Sequence, residues 1–365
     1  MHFFIDQDSG SSISGWVVPD NPSDVPEFIV RVPGRVDMPI SANVLRTDLR
    51  DLGLHSTGLA GFHIDEHHVG DLSEIADVAI LDAGTGIPLY RRPDPKQHLE
   101  KKLLLIDVSI FPQIRIIRRI MSFFALAYPA VDRLPIETIS ALIVNKAASS
   151  IFITGQPNWM RHGSLARERE YVTSALLRDP FEDLAERLLF IAHLAKQPGR
   201  KASNYSFERY QDALELIAEM DFSDRRSVLA GFRKMAPEQR RLFRSPMTSV
   251  FGGTPDSDLQ RRNVSVALDN LAQFDVVGVR PLFDDFSSMV DESLGSTLMQ
   301  GSELESLPGT AELAAILAEL GLVADLLDED IALYSFVCEA VETGLKIAFE
   351  RDKVGTSRFS AETGQ

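Results

Sequence analysis

YVTSALLRDPFEDLAERLLF, Tyr171–Phe190, is the stretch whose reading decides the fold. Tyr171–Leu177 is a short run of apolar and β-branched residues, the composition of a buried strand. Arg178-Asp179-Pro180 ends it. Asp179 is a good helix N-cap, Pro180 suits the first helical position, and Glu182 is placed to close a capping box onto Asp179. Leu184, Ala185, Leu188, Ile191 and Ala192 then form an apolar stripe at helical spacing, through about His193. The unit is strand, tight turn, helix, with an arginine at the carboxyl end of the strand. In α/β proteins that edge is where ligands bind, and an arginine there can hold a phosphate or sulfate through paired hydrogen bonds. The same residues also serve simple capping. In that case Arg178 pairs with a carboxylate of its own domain, Glu182 or Glu186.

The segment resembles the LRDPxxRxxSxY motif of the Golgi-type and bacterial carbohydrate sulfotransferases. In that family the arginine of RDP and the later serine hold the 3′-phosphate of the donor PAPS. Arg178 matches the arginine; the second arginine of the motif falls on Asp183, and its serine on Glu186. The resemblance continues in order. ALDNLAQFDVVGVRPLFDD, residues 267–285, is similar to a late segment of those enzymes, and Leu326–Val341 to their closing helix. It covers about residues 102–345 and implies a P-loop-like, largely parallel sheet with flanking helices.

Lys102–Ile110 supplies the first strand, followed by a loop at Phe111-Pro112-Gln113 and a helix over Ile114–Phe124. The donor loop of the family falls near Asp107–Gln113, which implies donor contacts from Ser109 and Gln113. The loop has none of the glycines that bring backbone N–H groups close to a phosphate. Asn145–Ser150 resembles the donor-loop pattern residue by residue and makes Lys146 another donor candidate, or an ordinary exposed lysine. Leu134–Val144 reads as a helix and Ile151–Thr154 as the next strand. Asn158, Trp159, Arg161 and His162 follow, read as a loop. Trp159 and Arg161 there are candidate sugar contacts, and His162, titrating near neutrality, is the candidate general base. The alternative is a tryptophan covering the core beside a surface histidine.

Residues 1–92 read as an all-β, sandwich-like module. Its short runs Ile13–Val18, Phe28–Val32 and Val78–Leu81 are divided by turn residues. The module resembles the accessory β-domain of bacterial glycosyltransferases, on Gly15-Trp16, Arg46, Asp48-Leu49, Gly53, Gly58 and Gly61-Phe62. The cluster His63, Asp65, His67 and His68 lacks a distant ligand of matching spacing, so no metal is expected. Residues 93–101 form a polar linker, 102–350 the α/β domain with helical insertions, and 351–365 a flexible tail. Phe207–Met220 and Arg225–Met235 are amphipathic helices, and 302–325 a helical insert. Arg240, Arg241 and Arg244 form a local basic group, facing either an anion or solvent.

The net charge of −16 argues against general nucleic-acid binding or an anionic membrane surface. The single cysteine, Cys338, allows no intrachain disulfide, and the start has no signal-peptide pattern, so a cytoplasmic protein without a membrane-spanning segment is expected. Two functions follow from the resemblance. One is a PAPS-dependent transferase that sulfates a sugar hydroxyl of a bacterial glycan. The other is a non-catalytic relative that binds or assembles in a surface-glycan pathway, with partner proteins of that pathway. A transferase that uses a different donor on the same fold is a further alternative.

Overall fold

The computed structural model describes residues 1–196, 210–254 and 258–362, with side chains as far as 348. The first ninety residues build two four-stranded antiparallel sheets. One has the order β1-β2-β6-β5, from His2–Asp8, Ser12–Val18, Leu59–Asp65 and Val44–Leu45. The other has the order β4-β3-β7-β8, from Met38–Ser41, Glu27–Arg31, Ala79–Asp82 and Pro88–Arg91. Alternation along the strands turns Ile13, Val17, Phe62 and Ile64 of one sheet and Phe28, Val30 and Ile80 of the other inward. Phe28 and Phe62 meet between the sheets, ring centroids 4.7 Å apart. One short helix, Thr47–Asp51, interrupts the expected all-β pattern.

The second part is a five-stranded parallel sheet of order β10-β11-β9-β12-β13. Its strands are β9 Lys102–Asp107, β10 Leu126–Tyr128, β11 Ile151–Gly155, β12 Val172–Leu177 and β13 Val276–Val279. Both faces are covered, as near-continuous apolar strands require. Leu103 and Leu105 face Ile116, Ile120 and Phe286 on one side, whereas Leu104 and Ile106 share the opposite core with Trp159, Phe251 and Leu333. A separate helical cluster forms where the Pro180–Ala195 helix meets residues 213–217, 228–232 and 313–327.

Chain direction reverses across the sheet centre. After β9 the chain moves to β10 and β11 on one side; after β12 it moves to β13 on the other. The crevice outside the carboxyl ends of β9 and β12 is therefore the topological switch point, where such sheets bind ligands.

The cores of the two parts are continuous rather than separate. The β-module packs on β10 and on the Ile136–Val144 helix, and the buried cluster runs through both. Tyr128 donates its hydroxyl to the Pro88 carbonyl at 2.8 Å, and Asn145 Nδ2 donates to that of Leu89 at 3.2 Å. The segment expected as a linker is tied down, with Leu99 N–H donating to the Phe123 carbonyl at 2.8 Å. The closing helix spans Asp328–Glu362, so it runs through most of the expected tail. The stretch has no proline to break the helix, although Gly355, Thr356 and Ser357 are weak helix formers. Residues 197–209, including the start of the helix expected at Phe207, and 363–365 lie outside the described residues.

Asp330 anchors this closing helix to the Pro246–Gly252 helix. Its carboxyl accepts from Met247 N at 3.0 Å, Thr248 N at 2.7 Å and Thr248 Oγ1 at 2.7 Å. Burial pushes the Asp330 pKa up to about 7, with the Thr248 and Met247 bonds opposing it. In an unfolded chain the value is about 3.9. The folded protein then holds the extra proton between these values, so this group makes stability fall as pH rises from about 4 to about 7. Asp330→Asn should flatten that part of the pH–stability curve measured by urea unfolding. An unchanged slope would contradict the assignment.

Candidate functional site at the switch point

Arg178 leaves the end of β12 at the switch point, and Asp179 fixes the turn. The Asp179 carboxylate accepts from Phe181 N at 2.9 Å and Glu182 N at 3.1 Å. Glu182 does not complete a capping box; its carboxylate turns back to Arg178 Nε at 3.4 Å. Arg178 is 2% exposed, and its Nη1 donates to Glu186, which has no exposed surface. The Pro180–Ala195 helix places Glu186 about two turns above Arg178.

Glu186 gathers three donors of different kinds. Oε2 accepts from Arg178 and from Ser109 Oγ at 2.7 Å, and Oε1 accepts from Leu307 N at 3.3 Å. A guanidinium, a hydroxyl and a backbone amide are the groups that would otherwise bind an external oxyanion. A carboxylate of the chain itself takes them all.

The loop after β9 is satisfied in the same way. Ser109 N donates to Asp107 Oδ1 at 3.1 Å, and Phe111 N to Ser109 Oγ at 3.2 Å. Its carbonyls turn toward neighbours: Val108 O accepts from Gln156 Nε2 at 2.7 Å and from Arg187 Nη2 at 2.6 Å. A phosphate cradle requires converging N–H groups, whereas this loop turns carbonyl oxygens to its neighbours and commits the Ser109 and Phe111 amides internally. Gln156 reaches the loop because Gly155 bends the chain at φ +140°, where a Cβ would lie 2.7 Å from Val131 N.

Further pairs close the crevice. Arg187 Nε binds Asp183 at 2.6 Å, both nearly unexposed. Burial acts most strongly, lowering the Arg187 pKa, but the charges of and hydrogen bonds to Asp183 and Tyr210 together outweigh it and the value rises. Arg280, at the carboxyl end of β13, faces Asp107 at 3.4 Å. Burial raises the Asp107 pKa, with the Arg280 charge opposing.

The other expected site residues are distributed differently. Gln113 is buried and makes a paired contact with the Glu305 backbone, donating to its carbonyl at 2.9 Å and accepting from its N–H at 2.7 Å. Lys146 is exposed and precedes β11, so it lies at the amino-terminal edge of the sheet, opposite the switch point. Asn158 to His162 is not a loop. Asn158 caps a helix over Trp159–Glu168 by accepting from Arg161 N at 3.2 Å. That helix turns Trp159 into the core, 3% exposed, with its ring 4.1 Å from that of Phe274 and its indole against Gly163. It offers no platform for a sugar. Arg161 is exposed.

His162 is 1% exposed and Nδ1 donates to the Asn158 carbonyl at 3.0 Å. Burial lowers its pKa, partly offset by the Asn158 and Ile136 carbonyls, so the ring is neutral at neutral pH. It lines a second cleft, beyond β11, together with Arg240, Arg241 and Arg244. Of the HIDEHH residues, His68 Nδ1 contacts Asp65 at 2.8 Å; among the described residues no group of three or more His, Cys, Asp or Glu could hold a metal ion.

Sequence reasoning missed Arg280 and Asp107. The signal was present: Arg280 follows a buried strand just as Arg178 does. No protein-family model matches the chain, and no curated protein matches it. Among the described residues no helix is long and apolar enough to cross a membrane.

Gln156→Ala should loosen the loop after β9 and cost about 0.5–1.5 kcal/mol of stability, the net worth of a hydrogen bond, since Val108 O keeps its bond from Arg187. Urea unfolding reads this; a variant as stable as the parent would mean that the Gln156 contacts do not hold the loop.

Proposed function

We propose that this chain is a sulfotransferase-like protein whose donor position is occupied from within. It acts as a binding or assembly protein of a glycan pathway rather than as a PAPS-dependent transferase. The observation that carries the reading is the Glu186 carboxylate, seated against Arg178, Ser109 and the Leu307 amide. Arg178, Ser109 and Glu186 lie where the resemblance puts the donor phosphates, and the β9–β12 switch point agrees with a P-loop-like strand order. A phosphate entering there would have to displace a buried carboxylate and then lie beside it. Two like charges at such separation in a low-dielectric interior repel strongly. The glycan context rests on the resemblance of the β-module, residues 1–92, to accessory domains of glycosyltransferases.

Sulfuryl transfer to a sugar hydroxyl is the competing reading. It needs cations around the donor and a base at the acceptor. Arg178 is the one cation matched to the motif, and it is neutralised.

Calorimetric titration separates the two readings. The full chain should show no saturable binding of adenosine 3′,5′-bisphosphate, the product of PAPS. Stoichiometric binding that is lost in Arg178→Ala would overturn the sealed-site reading and restore the transferase.

A further inference from the structure

The cleft beyond the carboxyl end of β11 has a volume of about 840 Å³, within the range of small-molecule sites. One wall is the Gln156–His162 segment, the other the Pro237–Arg241 helix and the start of the Pro246–Gly252 helix. The charges on its walls are not equally free. Arg187 is committed to Asp183 and Arg241 to Asp258. Arg244 gives Nη2 to Glu329 at 2.8 Å and to the Leu259 carbonyl at 3.0 Å. Arg240 has no carboxylate partner among the described residues; its one hydrogen bond runs from Nη2 to the Arg233 carbonyl at 3.1 Å.

Two further observations point to a ligand. Arg240 and Arg244 stand four residues apart and line the same cleft, and in each the Nε is buried without a hydrogen-bond partner. Among the described residues neither Nη1 has a hydrogen-bond partner. Across the cleft His162 is almost wholly buried, and its Nε2 makes no hydrogen bond of ordinary geometry. Since Nδ1 carries the proton toward Asn158, Nε2 holds a lone pair that the nearby Ile136 carbonyl, itself an acceptor, leaves unsatisfied, and a ligand hydroxyl can donate to it. Of the nine buried polar atoms without a hydrogen-bond partner among the described residues, three share this one cleft.

We propose that this cleft binds a small hydroxylated oxyanion of the sugar phosphate or sugar acid class. The oxyanion bridges the guanidinium groups of Arg240 and Arg244, and a hydroxyl donates to His162 Nε2. Leu242, Val250 and Leu326 offer apolar surface to the ring carbons. Glu238 and Asp258 on the same wall limit the accepted charge and disfavour a polyanion. The proposal supplies a binding site for the glycan-related role above and rests on that reading for its biological setting, though its test is independent.

Glucose 6-phosphate, glucuronate and inorganic phosphate are titrated into the full chain by calorimetry. Glucose 6-phosphate or glucuronate should bind more tightly than inorganic phosphate, and which one leads distinguishes phosphate from carboxylate. Arg240→Ala, on an accessible helix, should leave the melting temperature unchanged and weaken binding about tenfold or more, the loss expected for a charge-assisted bond. His162→Gln should reduce the preference over inorganic phosphate. Failure of both sugar anions to bind would overturn the proposal, as would equal binding by Arg240→Ala or equal affinity for inorganic phosphate. Adenosine bisphosphate binding that depends on Arg178 and not on Arg240 would sink the sealed-site reading and leave the cleft standing.

Discussion

The buried ion pair of Arg178 and Glu186 is the constraint on which the centre of the α/β domain depends. Each charge would be costly to bury alone, and each is tolerable only because the other is in place with additional hydrogen bonds. The pair joins β12, through Arg178, to the following helix, through Glu186. Ser109 adds the loop after β9, and the Leu307 amide adds the segment before the Thr310–Ala318 helix. Four separate stretches of chain converge on one carboxylate. Arg187 and Gln156 repeat the arrangement one layer away by holding the Val108 carbonyl. The result is a switch point filled by protein groups in near balance of charge, where a sheet of this kind ordinarily leaves room for a ligand.

That filling separates two properties that usually travel together. The topology of the sheet keeps its ligand-binding geometry: parallel strands, a reversal of direction, an arginine at a strand end and a helix starting beside it. The groups around Glu186 are spent on internal structure. Buried polar atoms without a partner remain at two places on this edge: Arg280 Nε and Nη1 with Asp183 Oδ1 at the crevice, and Arg240 Nε, Arg244 Nε and His162 Nε2 in the cleft beyond β11. The two regions share Arg187, which lines the cleft and holds the loop after β9. Ordering of the one region therefore supports the wall of the other.

Local grammar made much of this legible in the sequence. Asp179-Pro180 announced the turn because capping depends on neighbouring residues only, and Glu186 could be named as a partner of Arg178 from helical spacing. The strands β9, β11, β12 and β13 were readable as short apolar runs bounded by breakers. The Trp159 helix was not read, although Asn158 was an available N-cap and Gly163 and Ala166 gave the small residues on its buried face. A tryptophan beside arginine and histidine suggested a ligand loop, and burial against Phe274 decided otherwise. Lys146 looked like a donor lysine by local pattern, yet its side of the sheet is set by topology. The continuity of the two cores was equally beyond a linear reading. It depends on which sheet edge the β-module covers, and no periodicity encodes that.

Glu186 takes the place of an external oxyanion against Arg178, and a double-mutant cycle measures this directly. Arg178→Met, Glu186→Leu and the double variant are unfolded in urea, with and without adenosine 3′,5′-bisphosphate. Each single change strands a buried charge and should cost about 3–5 kcal/mol, whereas the double change removes both charges and should cost much less. The parent's stability should be indifferent to the nucleotide. Additive single effects, together with stabilisation of the parent by the nucleotide, would contradict the account.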